Sequence, residues 1–587
     1  MSSEILRARP FEAHDVGGNK TLVRLIGTEN CDLLPKERAI VLSSCRQFAD
    51  IHGHTESILQ RLKWPAARGD WVRSVIVDLR DRGLLMTRAE LLRQGRKIPS
   101  QIPVNTIVIV TADRPDQFNM CVESYAEAFT SFEKKPAIVI VDDSKRRFVT
   151  RSTLERLQSL NFEINLLGRP EKEQLVTEVI RAGVDEGVAR FTLLGEFQSV
   201  QGTTVGANRN WALLATLGRR VVMVDDDTLC LSAEHPRRYS GVDLISHEEA
   251  REVVFFESRE ALRAAYEWRT CNILEEHQKV LGKQLSVISD CYPPVSLDRA
   301  CDHLLAALEN GRGTIAASMC GVAGDSGGYS GQWLLGAKGE TRRRLWSGES
   351  TFNLAFRTRE VFASAPCLTV THALTCHGTT LGVANDQSLP PFLPIFANED
   401  GFFGALMSLG TSEAFFAHLP FAIRHESTHG RKYEQPGIRA SEVVIALMAY
   451  TGPPPLGGMM NACRVIGERL IQVSSLPDPD YWQVVHQAML ESTKIKFRML
   501  EGTLGRRGQE CPSYVWRKFD DYLHSASQQL LHPDKLIPEE LCSQMNIEQA
   551  REATKRFTCH CGKMLLSWPT LVVWASQRQL LQDETLK

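Results

Sequence analysis

The sequence predicts an α/β protein with a mixed sheet flanked by helices, set between a small N-terminal domain and a mostly α-helical C-terminal region. Three observations carry this. Short β-branched runs alternate with helical periods between about Val104 and Thr228; the runs in "NTIVIVTADRP" and "KKPAIVIVDDS" stop abruptly at acids; and helical periods dominate both flanks. At 587 residues the chain is too long for one core. Three domains are expected, over 1–101, 102–432 and 433–587.

Bulk composition excludes more than it suggests. The 68 basic and 70 acidic residues leave a net charge of −2, so no electrostatic case exists for nucleic acid or an anionic membrane. No apolar run reaches the roughly 20 residues a membrane helix needs, and the start "MSSEILRARPFEAHDVGGNK" lacks the apolar core of a secretory signal. A cytoplasmic location is expected. Fifteen cysteines, an odd number without a repeating frame, suit reduced thiols better than a disulfide scaffold.

Up to about Gln101 the pattern reads as helical. "ERAIVLSSCRQFADI" sets Ile40, Val41, Cys45, Phe48 and Ile51 near one face, "HTESILQRLKW" offers Thr55 as a cap, and "DWVRSVIVDLRDRGLLM" ends its helix at Gly83. Three short helices and a small strand suggest a winged helix. In its apolar spacing and terminal "RGLL" the region resembles winged-helix domains of the PQQ-biosynthesis peptide-chaperone type, which implies a peptide or protein partner. Arg73, Arg80 and Arg82 are balanced by Asp70, Asp78 and Asp81, which argues against a DNA-recognition helix.

In the middle region βαβ grammar continues through "FEINLLG", "EKEQLVTEVIRAGV" and "GANRNWALLATLG" to "RRVVMVDDD". Ligands of open parallel sheets bind beyond the carboxyl ends of the strands, where Thr111, Asp142, Asp143 and the aspartate triplet fall. Three adjacent acids repel by about 3 kcal/mol per pair at roughly 5 Å and an effective dielectric near 20. Water at an open turn or a coordinated divalent cation would offset this. Alternate side chains share a face, so Asp225 and Asp227 reach one ligand while Asp226 points elsewhere.

Four pieces in order, "IVTADRP", "IVIVDDS", "GANRNWALL" and "VVMVDDDT", make this region resemble family 2-type glycosyltransferases of the GT-A fold. The resemblance implies a nucleotide-diphosphate sugar as donor and Mn²⁺ or Mg²⁺ as cofactor, with Asp225 and Asp227 as metal ligands. Thr111, Asp113, Asp142, Asp143 and Arg209 would line the donor pocket, and Asp225 and Asp226 are counted with them. Where many relatives carry an aromatic residue that stacks on the base, this chain has Ala112.

Inverting transfer needs a base to take the acceptor proton. In the family it comes from a Glu-Asp pair at a helix start, which "LPPFLPIFANEDGFFGALM" supplies as Glu399 and Asp400; Asp400 is the expected base and Glu399 its partner. A late histidine often joins the metal in this fold. Of His418, His425 and His429, His425 is the first candidate and His418 the second. The glycine-rich "CGVAGDSGGYSGQWLL" offers Asp325 as a possible acceptor contact, and "ETRRRLW" offers Arg342, Arg343 and Arg344 to a diphosphate. "TCHCGK" brings Cys559, His560 and Cys561 together but lacks a fourth zinc ligand. The rival readings are a nucleotidyltransferase of related fold and a non-catalytic peptide-binding scaffold.

Overall fold

The computed structural model describes residues 4–92, 102–145, 151–246, 249–372, 376–411, 413–427, 431–434, 437–453, 455, 457–505, 511–532 and 536–580. His429 lies outside the described residues.

A large mixed sheet organises the chain. From edge to edge its strands are Val295–Arg299, Val242–Ile245, Leu368–His372, Ala414–His425, Thr314–Asp325, Thr380–Ala384, Arg220–Asp225, Val104–Thr111, Ala137–Asp142 and Glu163–Leu167. The last four are mutually parallel, and the near-continuous Val and Ile runs of Arg220–Asp225, Val104–Thr111 and Ala137–Asp142 are buried on both faces. Thr380–Ala384 runs antiparallel between Arg220–Asp225 and Thr314–Asp325. It therefore leaves the tips of Arg220–Asp225, Thr314–Asp325 and Ala414–His425 pointing the same way. Beyond the sheet proper, Thr228–Glu234 turns back and pairs antiparallel with Ala414–His425, which carries the aspartate triplet to His425.

Two cores cover the two faces. One packs helices Arg169–Arg181, Glu186–Leu194, Val205–Ala215 and Glu399–Gly410 together with the C-terminal helices; the other packs Pro115–Ser131 and Asp302–Glu309. The C-terminal region is helical, as its periodicity predicts, with Met459–Ser474, Asp478–Leu504, Ser513–Leu531 and Ile547–Arg578 as its long members. It shares a core with the sheet. Trp568 is buried and donates from Nε1 to the Leu389 carbonyl at 2.8 Å, and Phe557 meets Phe191, Phe197 and Phe396 edge-on or tilted. Helices Met459–Ser474 and Ile547–Arg578 touch backbone to backbone where Gly467 faces Gly562.

The expectation of a helical start is corrected. Phe11–Gly17, Lys20–Leu25 and Cys31–Pro35 form an antiparallel meander, and Leu6–Ala8 pairs with Leu85–Thr87. Phe11–Gly17 buries little beyond Phe11, so no apolar alternation marked it. Helices Lys36–Ser44, Ile51–Leu62 and Gly69–Asp81 follow, the last ending before Gly83 at φ +71°. Asp50, not Thr55, caps the second: its side chain accepts from the Gly53 amide at 2.7 Å, while Thr55 bonds back to the Ile51 carbonyl. Arg73, Arg80 and Arg82 are engaged by Asp70, by Glu4 and Glu90, and by Asp32 and Asp78. The domain meets helix Asp302–Glu309 through Arg7 and Arg46 on Asp302, and Met86 and Leu91 enter a core of the sheet.

Two further expectations change. The first half of "CGVAGDSGGYSGQWLL" is the tip of strand Thr314–Asp325, and the loop proper begins at Ser326. Cys559, His560 and Cys561 lie within helix Ile547–Arg578, where His560 packs on Phe191 and Phe197. Among the described residues no helix is long and apolar enough to cross a membrane.

Candidate active site

A cleft of about 1760 Å³ opens at the carboxyl ends of the parallel strands. That exceeds the several hundred Å³ a single small ligand commonly fills. Thr111, Asp113, Asp143, Arg209, Asp225, Asp227, Glu399, Asp400 and His425 all line it; Asp142 and Asp226 are buried beside it.

The strand-end loops are laced together by their own polar groups. Asp113 adopts φ +54° just before Pro115 opens its helix; its amide donates to Ser144 Oγ at 2.8 Å, and its carboxylate accepts from the Lys145 amide at 3.0 Å. Asp142 accepts from the Ser144 amide at 2.8 Å. Asp143 receives Arg169 and the buried Lys172, each at 3.3 Å. Burial lowers Lys172 to about 8, although Asp143 opposes the shift.

Helix Val205–Ala215 aims one buried polar side chain in each of several directions. Asn208 donates to the Thr111 carbonyl at 3.1 Å and accepts from Lys172 at 2.6 Å; Asn210 exchanges hydrogen bonds with the Phe392 backbone; Trp211 Nε1 donates to the Leu193 carbonyl at 2.7 Å. Arg209 meets Asp225 at 2.8 Å on one side and Glu399 at 3.2 Å on the other. Burial opposes its charge, but the carboxylates of Asp225 and Glu399 outweigh burial and raise its pKa. A Cβ at Gly378 would lie 1.9 Å from Arg209 Nη1, so any larger residue there would displace the buried guanidinium.

The triplet divides its work. Asp226 accepts from Thr111 Oγ1 at 2.7 Å and pairs with Arg114 at 2.5 Å; burial raises it to about 7, Arg114 opposing. Asp227 faces His425 Nε2 at 3.1 Å, Arg114 at 2.9 Å and Arg431 at 3.9 Å. Burial works against ionisation of Asp227, yet His425 and the guanidinium groups hold it well below the usual carboxylate range. Burial likewise disfavours the His425 charge, and Asp227 more than offsets it, raising His425 to about 9. Burial raises Asp225, with Arg209 opposing.

Two carboxylates and an imidazole are the right donor types for Mn²⁺, and Asp227 Oδ1 and His425 Nε2 stand close enough to share one ion. As the side chains stand, no three His, Cys, Asp or Glu among the described residues form a ready ligand set. Arg114, His425 and Arg431 neutralise Asp227 instead.

Across the cleft, Glu399 and Asp400 open helix Glu399–Gly410. Asp400 accepts from the amides of Gly378 at 2.9 Å and Gly401 at 2.8 Å. Burial raises Glu399 to about 7, with Arg209 opposing.

Asp325, expected as an acceptor contact, is instead buried behind the cleft lining under Arg359, which reaches its Oδ1 from Nε at 3.0 Å and Nη2 at 2.6 Å. His418 is buried within the sheet, 3.3 Å from Thr371 Oγ1, and burial lowers it to about 4. Arg342, Arg343 and Arg344 turn away from the cleft to the Thr503 carbonyl, Glu340 and the Val253 carbonyl. Sequence reasoning missed Arg114, Arg359 and Arg431, and also Glu249, Arg251 and His377, which line the same cleft. Arg114 sits inside the "TADRP" turn and was within reach of a motif reading; the others carry no local signal.

No family model matches the chain, and no curated protein matches it. Among solved structures, the crystal structure of S. aureus TarS 1-349 aligns over 79% of this chain and 91% of that chain, with 11% identity and a TM-score of 0.24. A likeness at that TM-score carries no argument about what this chain does.

Proposed function

We propose that the chain is a metal-dependent, inverting glycosyltransferase of GT-A type that moves a sugar from a nucleoside-diphosphate donor to an acceptor. One observation carries the reading: Arg209 spans, within a single cleft, from the carboxylate at a parallel-strand end, Asp225, to the acid pair at the opposite helix start. A donor-binding edge and a proton-accepting edge thus face one space.

Asp225, Asp227 and His425 would hold a Mn²⁺ or Mg²⁺ ion, which when bound supplies Lewis-acid neutralisation of the leaving diphosphate. Arg114 and Arg431, both on Asp227, stand ready to pair with the same diphosphate. Thr111, Asp113 and Asp143 form the wall for the nucleoside. Asp400, its carboxylate oriented by two backbone amides, takes the acceptor proton. The Arg209 bridge to Glu399 keeps that helix start in register with Asp225.

The N-terminal domain is proposed to hold a peptide or protein acceptor. Val16 and Leu33, apolar residues on its meander, are 54% and 46% exposed. Changing both to Asp should reduce transfer to such an acceptor and leave donor hydrolysis unchanged; equal transfer would refute this role.

Product analysis with UDP- and GDP-sugars tests the whole reading. Release of nucleoside diphosphate with the sugar transferred supports it. Release of pyrophosphate would make the chain a nucleotidyltransferase, and no turnover with any donor would favour a scaffold.

A further inference from the structure

We propose that Arg359 and Asp325 are positioning residues that fix the imidazole of His425, so that Nε2 is the nitrogen presented to Asp227 and to a bound cation. This deepens the functional reading above, since it assigns the groups that stand behind its proposed histidine ligand.

The chain of contacts is short and buried. His425 Nδ1 lies 2.7 Å from the Asp325 carbonyl oxygen. A carbonyl only accepts, so Nδ1 carries a proton; with Nδ1 held in this way, Nε2 is the nitrogen that donates to Asp227 at 3.1 Å and the one that would exchange its proton for a cation. The position of that carbonyl is set by the Asp325 side chain. Arg359 grips Oδ1 through two nitrogens, the Gly327 amide donates to the same oxygen at 2.8 Å, and Ser427 Oγ donates to Oδ2 at 3.4 Å. The Arg359 carbonyl returns the contact by accepting from the Ser326 amide at 2.8 Å. Asp325 and Arg359 are 1% and 6% exposed, so water does not compete for these bonds.

The backbone is shaped for the same contact. Strands Thr314–Asp325 and Ala414–His425 run parallel, and their last paired residues are Gly324 and His425. Gly324 adopts φ +138°, and a Cβ there would lie 2.0 Å from the His425 carbonyl oxygen. A side chain at this position would push the strand tips apart and carry the Asp325 carbonyl away from Nδ1.

A buried carboxylate gripped by a guanidinium is an expensive feature for a strand tip that merely ends a sheet. Its placement one carbonyl behind a cleft-facing histidine accounts for it. Groups that orient a ligating imidazole from behind are typically worth about 10–100-fold in metal affinity.

The test uses the full chain with Arg359→Gln and Asp325→Asn, and Arg359→Lys as a gentler change that keeps the charge. Two quantities are read on protein whose thermal transition shows it folded: Mn²⁺ affinity from the free-ion electron paramagnetic resonance signal, and the exchange-protected Nδ1–H resonance of His425, assigned by its loss in His425→Gln. The expected result is Mn²⁺ binding about 10–100-fold weaker with loss of the protected resonance in Arg359→Gln and Asp325→Asn, and an intermediate effect in Arg359→Lys. Unchanged Mn²⁺ affinity with the resonance intact in folded Arg359→Gln would overturn the proposal. If the wild type binds no Mn²⁺, the metal-dependent reading fails by itself. The positioning role is then judged on the resonance alone, whose persistence in all three variants would overturn it.

Discussion

At the scale of single residues, Arg209 and the Asp227–His425 pair are the most sensitive points. Gly378→Ala places a methyl group on the buried Arg209 guanidinium, which Asp225 and Glu399 pin from both sides. We expect a destabilisation of about 1–3 kcal/mol, seen in chemical denaturation, together with weaker nucleotide binding. An unchanged midpoint would show that the crossing has slack. Asp400→Asn should lower turnover by about 10²–10⁴-fold while leaving nucleotide affinity intact, measured by steady-state kinetics and calorimetry. The Asp227–His425 pair has a defined pH window. His425 is raised in the folded state to about 9, so its contribution is full below the ordinary histidine value near 6.5 and is lost as pH rises through 9. Asp227 is depressed, so its contribution is lost as pH falls below the usual carboxylate range. In chelator, His425→Ala should therefore destabilise the protein clearly at pH 7 and much less near pH 10; an equal loss at both would contradict the pairing. Much of this was legible from residue order. A strand ending in acids marks the edge where the cleft opens, and Asp225 and Asp227 line that cleft while Asp226 does not; the strand ends at Asp225, so a turn and not strand alternation divides them. Arg359 and Arg431 were not legible, because nothing local distinguishes an arginine that reaches a distant carboxylate from one in solvent.

At the scale of elements, motifs became legible where a polar residue interrupts an apolar helix or strand. In "GANRNW" the buried Asn208, Arg209 and Asn210 each bind a different segment, two strand ends and the Phe392 loop, which is why a helix would carry such residues at positions otherwise suited to apolar packing. Elements with little burial escaped: Phe11–Gly17 shows only one buried apolar residue, although its Gly-Gly-Asn turn, with three successive positive φ values, was a hairpin signal. The crossing of Met459–Ser474 with Ile547–Arg578 was also invisible, because it depends on Gly467 meeting Gly562 across a long sequence gap. A Cβ at Gly562 would lie 2.8 Å from the Gly467 carbonyl oxygen. Gly562→Ala should thus lower the melting temperature by several degrees even though alanine is the better helix former. A rise in melting temperature would show that the helices can separate without cost.

At the scale of the whole molecule, the mixed sheet and the C-terminal helices are one packed body. Trp568, Phe557 and Leu565 belong to the same buried cluster as Val108, Val139 and Trp211 of the sheet layer. Ending the chain at residue 432 would expose that cluster, so the truncated protein is expected to aggregate or bind an apolar dye rather than melt cooperatively. A soluble, cooperatively folding 1–432 chain would contradict a shared core. The same body brings Asp225, Asp227, His425, Glu399 and Asp400 to one cleft from two strand ends, a turn and a helix start spread over 200 positions of sequence, and the function proposed here depends on that convergence. Calorimetric binding of UDP and GDP, with and without Mn²⁺, to the wild type and to Asp227→Ala tests it most directly. Mn²⁺-dependent binding of one nucleotide that disappears in Asp227→Ala is the expected result. Failure of the wild type to bind either nucleotide under any metal condition would contradict it.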